Sequence, residues 1–312
     1  MAVNLNYKNE KNILRLMENG VPYLEYPMLT ELGIVKHGFS TRLGGVSQGC
    51  YEFMNLSFTR GDREENVREN FRRIANAIGV KCEDMVFSQQ THTTNVRAVT
   101  EQDRGMGMVR PLEYQDVDGL VTNVPGLCLV TFYADCVPLF FVDSVKRVIG
   151  LSHSGWRGTV GKIGRRTVEL MEKEYGCHPE DIYAAVGPSI CQDCYEVSEE
   201  VIEQFRKNFR EAEWDDLFYQ KENGKYQLNL WKANESVLKE SGICEDHIAV
   251  TNVCTHCNSD VLFSHRTTGD KRGNLAAFLA LKEEEKTMQA KIGKESLWIR
   301  QQRLFKNPQS PL

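Results

Sequence analysis

The stretch TFYADCVPLFFVDSVKRVIGLSHSGWRG, residues 131–158, contains two runs of β-branched and aromatic residues on either side of the polar segment DSVKR. This pattern predicts a β-hairpin with strands over 137–142 and 148–152. The strands are apolar on both faces, so they need cover on each side of the sheet. Asp135, Cys136 and His153 interrupt these runs, and such polar groups are costly to bury without partners.

The register of this hairpin brings two of the three polar residues together. If Asp143 faces Lys146 across a tight turn, Cys136 faces His153. Directly opposed residues hold their Cβ atoms about 4.5–5.5 Å apart, which suits two ligands of one metal ion. However, the intervening residues form a poor two-residue turn, and a loop longer by one residue would shift the register.

A metal site at this position needs a third ligand. His92, in the polar segment SQQTHTTNV between two short strands, is the best candidate, and His37 in KHGFSTRLGG is the alternative. A His/Cys/His set with one open position suits zinc that holds a water or a substrate. Copper is a second possibility, because thiolate and imidazole also bind it. With seven histidines and no His-x-His, the chain does not resemble a multicopper oxidase.

The remaining pattern predicts an α/β protein in one domain, because no linker rich in proline or glycine divides the chain. Helices are expected over 62–79, 158–175, 198–212, 229–240 and 273–284. Further strands are expected over 117–123, 127–133, 182–186 and 248–253, with two short strands within 85–99. Helices packed on both outer faces of the sheets would cover their apolar surfaces.

Composition narrows the class of function. The 312 residues are 41% hydrophobic, with a net charge of −5, which gives no general attraction to nucleic acid or to anionic lipid. The N-terminal residues lack the apolar segment of a signal peptide, and the most apolar run, 126–142, is too short to span a bilayer. We therefore expect a cytoplasmic protein with no nucleic-acid or membrane partner.

The ten cysteines do not indicate a disulfide framework in a long chain without an export signal. Two Cys-x-x-Cys pairs, CQDC (Cys191, Cys194) and CTHC (Cys254, Cys257), lie about sixty residues apart, which is far longer than the spacing of a zinc ribbon. The sequence favours buried free thiols over a second zinc site here. It leaves the role of the four cysteines open.

Two glycine-containing segments are candidate anion sites. HGFSTRLGGVSQG places Ser40 and Arg42 just before Gly44-Gly45, so that backbone N–H groups and a guanidinium could surround an anion. HSGWRG runs from a strand end into a helix, where Arg157 and the helix N-terminus could do the same.

Five segments together resemble the bacterial laccase-domain family, whose members carry the names multicopper polyphenol oxidase, peptidoglycan editing factor and purine nucleoside phosphorylase. They are HGFSTRLGGVSQGCYEFMNL, QQTHTTNV, DVDGLVTNVPGLCLVTFYADCVPLFFVD, GLSHSGWRG and VGPSICQDCYEV. The resemblance implies a layered α/β/β/α sandwich with mixed sheets, usually monomeric. It spans residues 34–285, which leaves an N-terminal extension at 1–33 and a polar tail at 286–312.

The resemblance also implies a zinc ion bound by His92, Cys136 and His153, with Arg42 and its neighbours lining the pocket. The implied activity is phosphorolysis of adenosine, inosine, guanosine and methylthioadenosine, with deamination of adenosine. Independently of the resemblance, the residues themselves suggest Asp135 for proton transfer and Arg157 for binding phosphate. Asn55 and Gln90 are candidates for hydrogen bonds to ribose or base.

Two other classes of function compete with this hypothesis. A hydrolase could remove a wrongly attached amino acid from a peptidoglycan precursor, with the same metal or with Cys136 as nucleophile and His153 as base. A non-enzymatic metal-storing or interaction module would bind zinc without turnover. The deaminase hypothesis lacks one expected feature, because the full H-x-E…P-C-x-x-C signature of known zinc deaminases is absent from this sequence.

Overall fold

Two six-stranded mixed sheets pack against each other in the computed structural model, which describes residues 3–11 and 13–283. The strands are β1 (Arg15–Asn19), β2 (Val21–Glu25), β3 (Val35–Ser40), β4 (Met85–Phe87), β5 (Val96–Ala98), β6 (Gly119–Thr122), β7 (Cys128–Tyr133), β8 (Val137–Asp143), β9 (Val148–Ser154), β10 (Ile182–Val186), β11 (Glu196–Val197), β12 (Phe218–Gln220), β13 (Tyr226–Leu228), β14 (Ile248–Val250) and β15 (Leu275–Leu281). The first sheet has the strand order β1-β2-β3-β15-β7-β4 and the second has the order β14-β10-β8-β9-β6-β5, and a small third sheet has the order β11-β13-β12.

Helices cover the outer faces of the two large sheets. They are α1 (Pro27–Glu31), α2 (Glu64–Ile78), α3 (Trp156–Val160), α4 (Ile163–Tyr175), α5 (Glu199–Asn208), α6 (Trp214–Leu217), α7 (Leu230–Glu240) and α8 (His265–Thr268). Phe71 and Ile74 of α2 pack on Phe278 of the first sheet, whereas Val168 of α4 and Val237 of α7 belong to the core on the second sheet. The predicted α/β/β/α sandwich is therefore confirmed.

Strict alternation along the strands fills the three apolar layers. In β8, Phe140 and Val142 point into the layer between the sheets, while Leu139 and Phe141 point toward the helices. Every residue of β8 and β9 is buried, as expected for strands with cover on both faces. The described residues up to Lys282 form one compact unit.

The hairpin exists, but its predicted register is wrong by two residues. Asp143 pairs with Val148, so that Pro138 lies opposite His153. The reason is a longer loop, in which the Asp143 carboxylate accepts backbone N–H groups from Val145 and Lys146 at 2.9 and 2.8 Å. Because side chains alternate with a period of two, a shift of two residues leaves every side chain on its expected face.

The helix predicted over 273–284 is wrong, because these residues form strand β15. Alanine and leucine in NLAAFLAL favour a helix on intrinsic propensity. In the structure β15 lies between β3 and β7, with Leu279 in the layer between the sheets and Phe278 against α2. Burial on both faces and pairing on both edges therefore override the local preference.

Most of the other predicted elements are confirmed with small changes at their ends. The helix expected over 158–175 is two helices, α3 and α4, separated at Gly161 and Lys162, the latter with a left-handed φ of 58°. Within residues 1–33, β1 and β2 pair with each other and β2 pairs with β3. The predicted tail, 286–312, lies outside the described residues.

Candidate metal centre

His92, Cys136 and His153 come together at one end of the second sheet. His92 lies in the loop between β4 and β5, Cys136 directly precedes β8, and His153 is in β9. One ligand atom of each lies within 4.8 Å of the others, and Sγ of Cys136 is 3.9 Å from Nε2 of His92. Such spacing lets the three side chains bind a single ion, with the fourth position open.

A buried carboxylate, Asp118, bonds the ring of His153 and the backbone of the loop that carries His92. Its Oδ1 accepts a hydrogen bond of 2.8 Å from Nδ1–H of His153. The carboxylate also accepts three backbone N–H groups, those of Thr91 and Thr93 at Oδ2, each at 3.0 Å, and that of His92 at Oδ1, at 3.1 Å. Because a carboxylate only accepts, the proton of His153 is on Nδ1, and Nε2 is left as the metal-binding nitrogen.

Asp118 is not among the site residues predicted from the sequence. The usable signal was an aspartate directly before a buried strand in DVDGLVT, within reach of a candidate histidine ligand. Burial alone would raise the pKa of Asp118, but the hydrogen bond from His153 and the backbone N–H groups lower it below its ordinary value. Asp118 is therefore ionised when it supports the site.

The thiol and the imidazole shift each other's protonation. Burial alone would raise the pKa of Cys136, but His153 and His92 lower it to about 6. Burial alone would lower the pKa of His153, but the Cys136 thiolate and Asp118 raise it to about 9. Without an ion, the pair is therefore a thiolate and an imidazolium at neutral pH.

Gly155 lies against all three side chains. A Cβ atom at this position would lie 3.0 Å from Cδ2 of His92 and 3.1 Å from Sγ of Cys136. Both distances are tighter than ordinary contacts, so the motif SHSGWRG needs glycine here for steric reasons. The donor set, its orientation and this close-fitting backbone all fit a single zinc-sized ion.

The three candidate ligands line a cavity of about 540 Å³. One part of its wall is apolar and the other polar, a composition typical of small-molecule sites. The apolar residues are Leu56, Phe58, Phe87, Leu112 and Phe132, and the polar ones include Ser57, Arg60, Ser88, Gln89, Gln90, Arg110, Arg272 and Asn274.

Arg272 is the unusual cation of this wall. Its side chain is 7% exposed, and it donates to the backbone oxygen of Gly273 at 3.1 Å and to Asn274. Its Nε is buried without a hydrogen-bond partner among the described residues. Desolvation, reinforced by the charge of Arg60, lowers the pKa of Arg272 to about 10. Because Arg272 also lines the cavity, its guanidinium is suited to bind an anion there.

Three residues predicted to bind substrate do not line the cavity. The guanidinium of Arg42 donates to the backbone oxygens of Glu52 and Ser259 at 2.8–3.0 Å. Ser40 Oγ accepts the backbone N–H of Ala276 at 3.0 Å. Asn55 is fully buried, and its amide bonds Asp62, Ser57 and the backbone of Asn274. These side chains organise loops around the cavity, and direct contact of any of them with substrate stays a prediction.

Gln90, Asp135 and Arg157 have different surroundings. Gln90 lines the cavity, but its amide is bonded to both backbone groups of Phe132 at 2.7 and 2.8 Å. Both carboxylate oxygens of Asp135 accept hydrogen bonds, one from Thr255 and one from the backbone of Arg266, each at 2.6 Å. Arg157 is exposed and stacks on Trp156, with 4.3 Å from its guanidinium carbon to the ring centre.

His37, the alternative third ligand, is not part of the site. It is buried between the sheets, and its Nε2 accepts the backbone N–H of Tyr26 at 2.8 Å. Burial lowers the pKa of His37 to about 4, so the ring is neutral. Of the two candidates, the structure brings His92 to Cys136 and His153.

The chain therefore combines a four-layered α/β fold with a candidate His/Cys/His metal centre that opens into a small-molecule cavity. Residues 36–282 match the family described as multi-copper polyphenol oxidoreductase laccase, and the chain belongs to this family. In the described part of the chain, the groups of His, Cys and carboxylate ligands that could hold a metal are the three-residue centre and a cluster of four cysteines. Neither is the array of paired histidines that multicopper oxidation would need.

The relatives carry the names of purine enzymes. "Purine nucleoside phosphorylase YlmD" of Bacillus subtilis (strain 168) is 38% identical over 79% of this chain and 88% of its own length. "Adenosine deaminase RL5", from an unknown prokaryotic organism, is 36% identical over 75% of this chain and 90% of its own length. The crystal structure of YlmD from Geobacillus stearothermophilus has a TM-score of 0.81 and 32% identity, and the match covers 88% of this chain and 100% of that one.

Among the residues that the structure describes, none of the helices has the length and apolar character needed to cross a membrane.

Proposed function

We propose that the chain is a zinc-dependent purine nucleoside phosphorylase that also deaminates adenosine. The observation that carries this proposal is the convergence of His92, Cys136 and His153 on one cavity whose wall also holds Arg272. Relatives named for both activities support it. The implied substrates are adenosine, inosine, guanosine and methylthioadenosine.

The donor set favours zinc over copper as the resident ion. Two imidazoles and one thiolate with an open fourth position are typical of catalytic zinc. Zinc held there would supply Lewis-acid activation of a reacting oxygen. The protein's own part is to keep His153 in the correct tautomer through Asp118 and to keep Cys136 as a thiolate.

The cavity wall offers a place for each half of the phosphorolysis reaction. Arg272, with Arg60 nearby, would hold the phosphate that attacks C1′ of the ribose as the bond to the purine breaks. Phe58 and Phe132 present apolar ring surface on which a purine can stack. Arg42 and Arg157, which the sequence suggested for phosphate, stay alternative candidates because neither lines the cavity.

The test is product analysis with purified protein of measured zinc content. Adenosine with phosphate should yield adenine and ribose 1-phosphate, whereas adenosine without phosphate should yield inosine. Cys136→Ala should lose both products together with the zinc of this centre. Retention of this zinc and of unchanged turnover in that variant would reject the proposal.

A cysteine-type hydrolase acting on a peptidoglycan precursor is the second candidate. The observation that favours it is the thiolate–imidazolium pair of Cys136 and His153. Chelation separates the two candidates, because a thiol enzyme keeps its activity when zinc is removed. Release of serine from a serine-containing muramyl nucleotide by chelator-treated protein would favour this candidate over the first.

A further inference from the structure

Four cysteines that the sequence separates into two distant pairs form one cluster. Cys191 and Cys194 lie in the loop after β10, and Cys254 and Cys257 in the loop after β14. These two strands are parallel neighbours, and the bridge between Ser189 and Cys254 continues their pairing into the loops. Parallel strands bring their carboxyl ends to the same edge of a sheet, so the two Cys-x-x-Cys pairs meet there.

We propose that these four cysteines bind a second zinc ion, which has a structural role. The four sulfur atoms all lie within 4.8 Å of one another, and Sγ of Cys194 is 3.5 Å from Sγ of Cys257. Four thiolates around one zinc at about 2.3 Å would lie about 3.8 Å apart in a regular tetrahedron. The observed spacing agrees with a single tetrahedral ion.

Two other arrangements of four cysteines fit less well. A disulfide holds its sulfurs at about 2.05 Å, whereas all ten cysteines of the chain are free and the close pair is 3.5 Å apart. An iron–sulfur cluster distributes its cysteine ligands over several iron atoms, so it holds their sulfurs farther apart than one ion does. The cluster therefore has the size of a mononuclear site.

Hydrogen-bond donors and a cation lie close to the four cysteines, where they can stabilise the negative charge of a tetrathiolate site. The Sγ of Cys254 accepts backbone N–H groups from Cys191 at 3.2 Å and from Cys257 at 3.5 Å. Lys8 interacts electrostatically with Cys191 and Cys257, and it donates to Asp193 at 2.8 Å. Four thiolates with one zinc carry a net charge of about −2, which these donors and this cation stabilise.

The second zinc would stabilise the position of Asp135, which directly precedes Cys136. The backbone oxygen of Asp135 accepts the N–H of Ile190 at 3.0 Å, and its Oδ1 accepts the hydroxyl of Thr255 at 2.6 Å. Ile190 precedes Cys191, and Thr255 lies between the two cysteines of the second pair. Asp135 has a left-handed φ of 84° directly before Cys136, so both cysteine loops support the strained backbone that presents the Cys136 thiolate.

The experiment measures metal content by inductively coupled plasma mass spectrometry on full-length protein purified without chelator. Wild-type protein should contain two zinc ions per chain. A His92→Ala/Cys136→Ala variant should retain one, and X-ray absorption should find four sulfur ligands at about 2.3 Å around it. A Cys194→Ser/Cys257→Ser variant should also retain one and should lose at least ~5 °C in Tm.

A control replaces two cysteines outside the cluster. Cys50→Ser/Cys244→Ser should leave both zinc ions in place. The proposal fails if the His92→Ala/Cys136→Ala variant holds no zinc, holds iron in its place, or shows a sulfur count below four. It also fails if mass spectrometry finds the four cysteines joined as disulfides. These results do not require the Cys194→Ser/Cys257→Ser variant to fold, and they do not depend on the proposed nucleoside chemistry.

Discussion

His153 and Asp118 form a hydrogen-bonded pair in which Nδ1–H of the imidazole donates to Oδ1 of the carboxylate at 2.8 Å, with both side chains buried. The same carboxylate binds three successive backbone N–H groups at residues 91–93. One aspartate therefore holds a ligand on β9 and the loop that presents His92, and through them it sets the geometry of the centre.

Replacing Asp118 should weaken metal binding without removing a ligand. Asp118→Asn should lower zinc affinity at the His/Cys/His centre and activity by about 10–100-fold, because an amide can favour the wrong tautomer of His153 and binds the loop less strongly. Competition with a chromophoric chelator measures the affinity. The control is Asp116→Asn, whose exposed carboxylate accepts from the hydroxyl of Thr91 at 2.7 Å. Equal losses in the two variants would contradict the orienting role.

The reactivity of Cys136 in metal-free protein should follow its lowered pKa. Because the pKa of Cys136 is about 6, its alkylation should rise with pH around a midpoint near 6. In His153→Gln the stabilising positive charge is gone, so the midpoint should move toward the ordinary thiol value of about 8.5. Peptide mass spectrometry after timed labelling reads Cys136 separately from the other nine cysteines. A wild-type midpoint above pH 8 would contradict the thiolate–imidazolium pair.

A single methyl group at position 155 should disturb the centre. Gly155→Ala places a Cβ atom 3.0 Å from His92 and 3.1 Å from Cys136, so these side chains must move apart. We expect at least about tenfold loss of activity and weaker zinc binding in a folded protein. Gly164→Ala in α4 is the matched control, since a Cβ there meets its neighbours at ordinary contact distances of 3.4–3.5 Å. Full activity of Gly155→Ala would show that the close fit is unimportant.

His37 should make the protein less stable in acid. Its folded pKa of about 4 lies below the unfolded value of about 6.5, so between these values the unfolded chain binds more protons. Stability contributed by neutral His37 is present above pH 6.5 and is lost as pH falls toward 4, by about 3 kcal/mol. Urea unfolding of wild type and His37→Gln from pH 7 to 4.5 measures this. The variant should show a shallower decline, and parallel curves would contradict the assignment.

Replacing Arg272 should weaken the binding of phosphate more than the binding of nucleoside. Arg272→Gln removes a buried cation from the cavity wall, so the KM for phosphate should rise about 10–100-fold while the KM for inosine changes little. Steady-state kinetics with each substrate varied in turn separates the two constants. Arg166→Gln, on the exposed surface of α4, should leave both constants unchanged. A rise confined to the KM for inosine would show that Arg272 does not bind phosphate.

The sequence was sufficient to predict Cys136 and His153 as neighbouring candidate ligands, because their placement depends on a strand period of two. The predicted register of β8 and β9 was wrong, yet a shift of two residues kept Cys136 and His153 on one face. Their convergence with His92 came from the pairing of distant strands, which a single sequence does not encode visibly. The polar segment between two short strands made His92 preferable to His37, and the motif resemblance implied the same residue.

Features that depend on tertiary contacts were missed or misassigned. Strand β15 has the composition of a helix, and only its place between two strands makes it extended. Nothing in the local sequence distinguishes Asp118, because its contact with His153 depends on the pairing of β6 with β9. The two Cys-x-x-Cys pairs looked unrelated because about sixty residues separate them in the sequence. The parallel pairing of β10 with β14 brings them close together in space.

The central place of β15 has a consequence for how the protein is made. It is the last described strand in the chain, yet its neighbours in the first sheet are β3 and β7, which the ribosome synthesises much earlier. Until residue 281 has emerged, both of these strands have an unpaired apolar edge, the kind of surface that invites association with other nascent chains. Completion of the first sheet must therefore follow translation of nearly the whole folded unit.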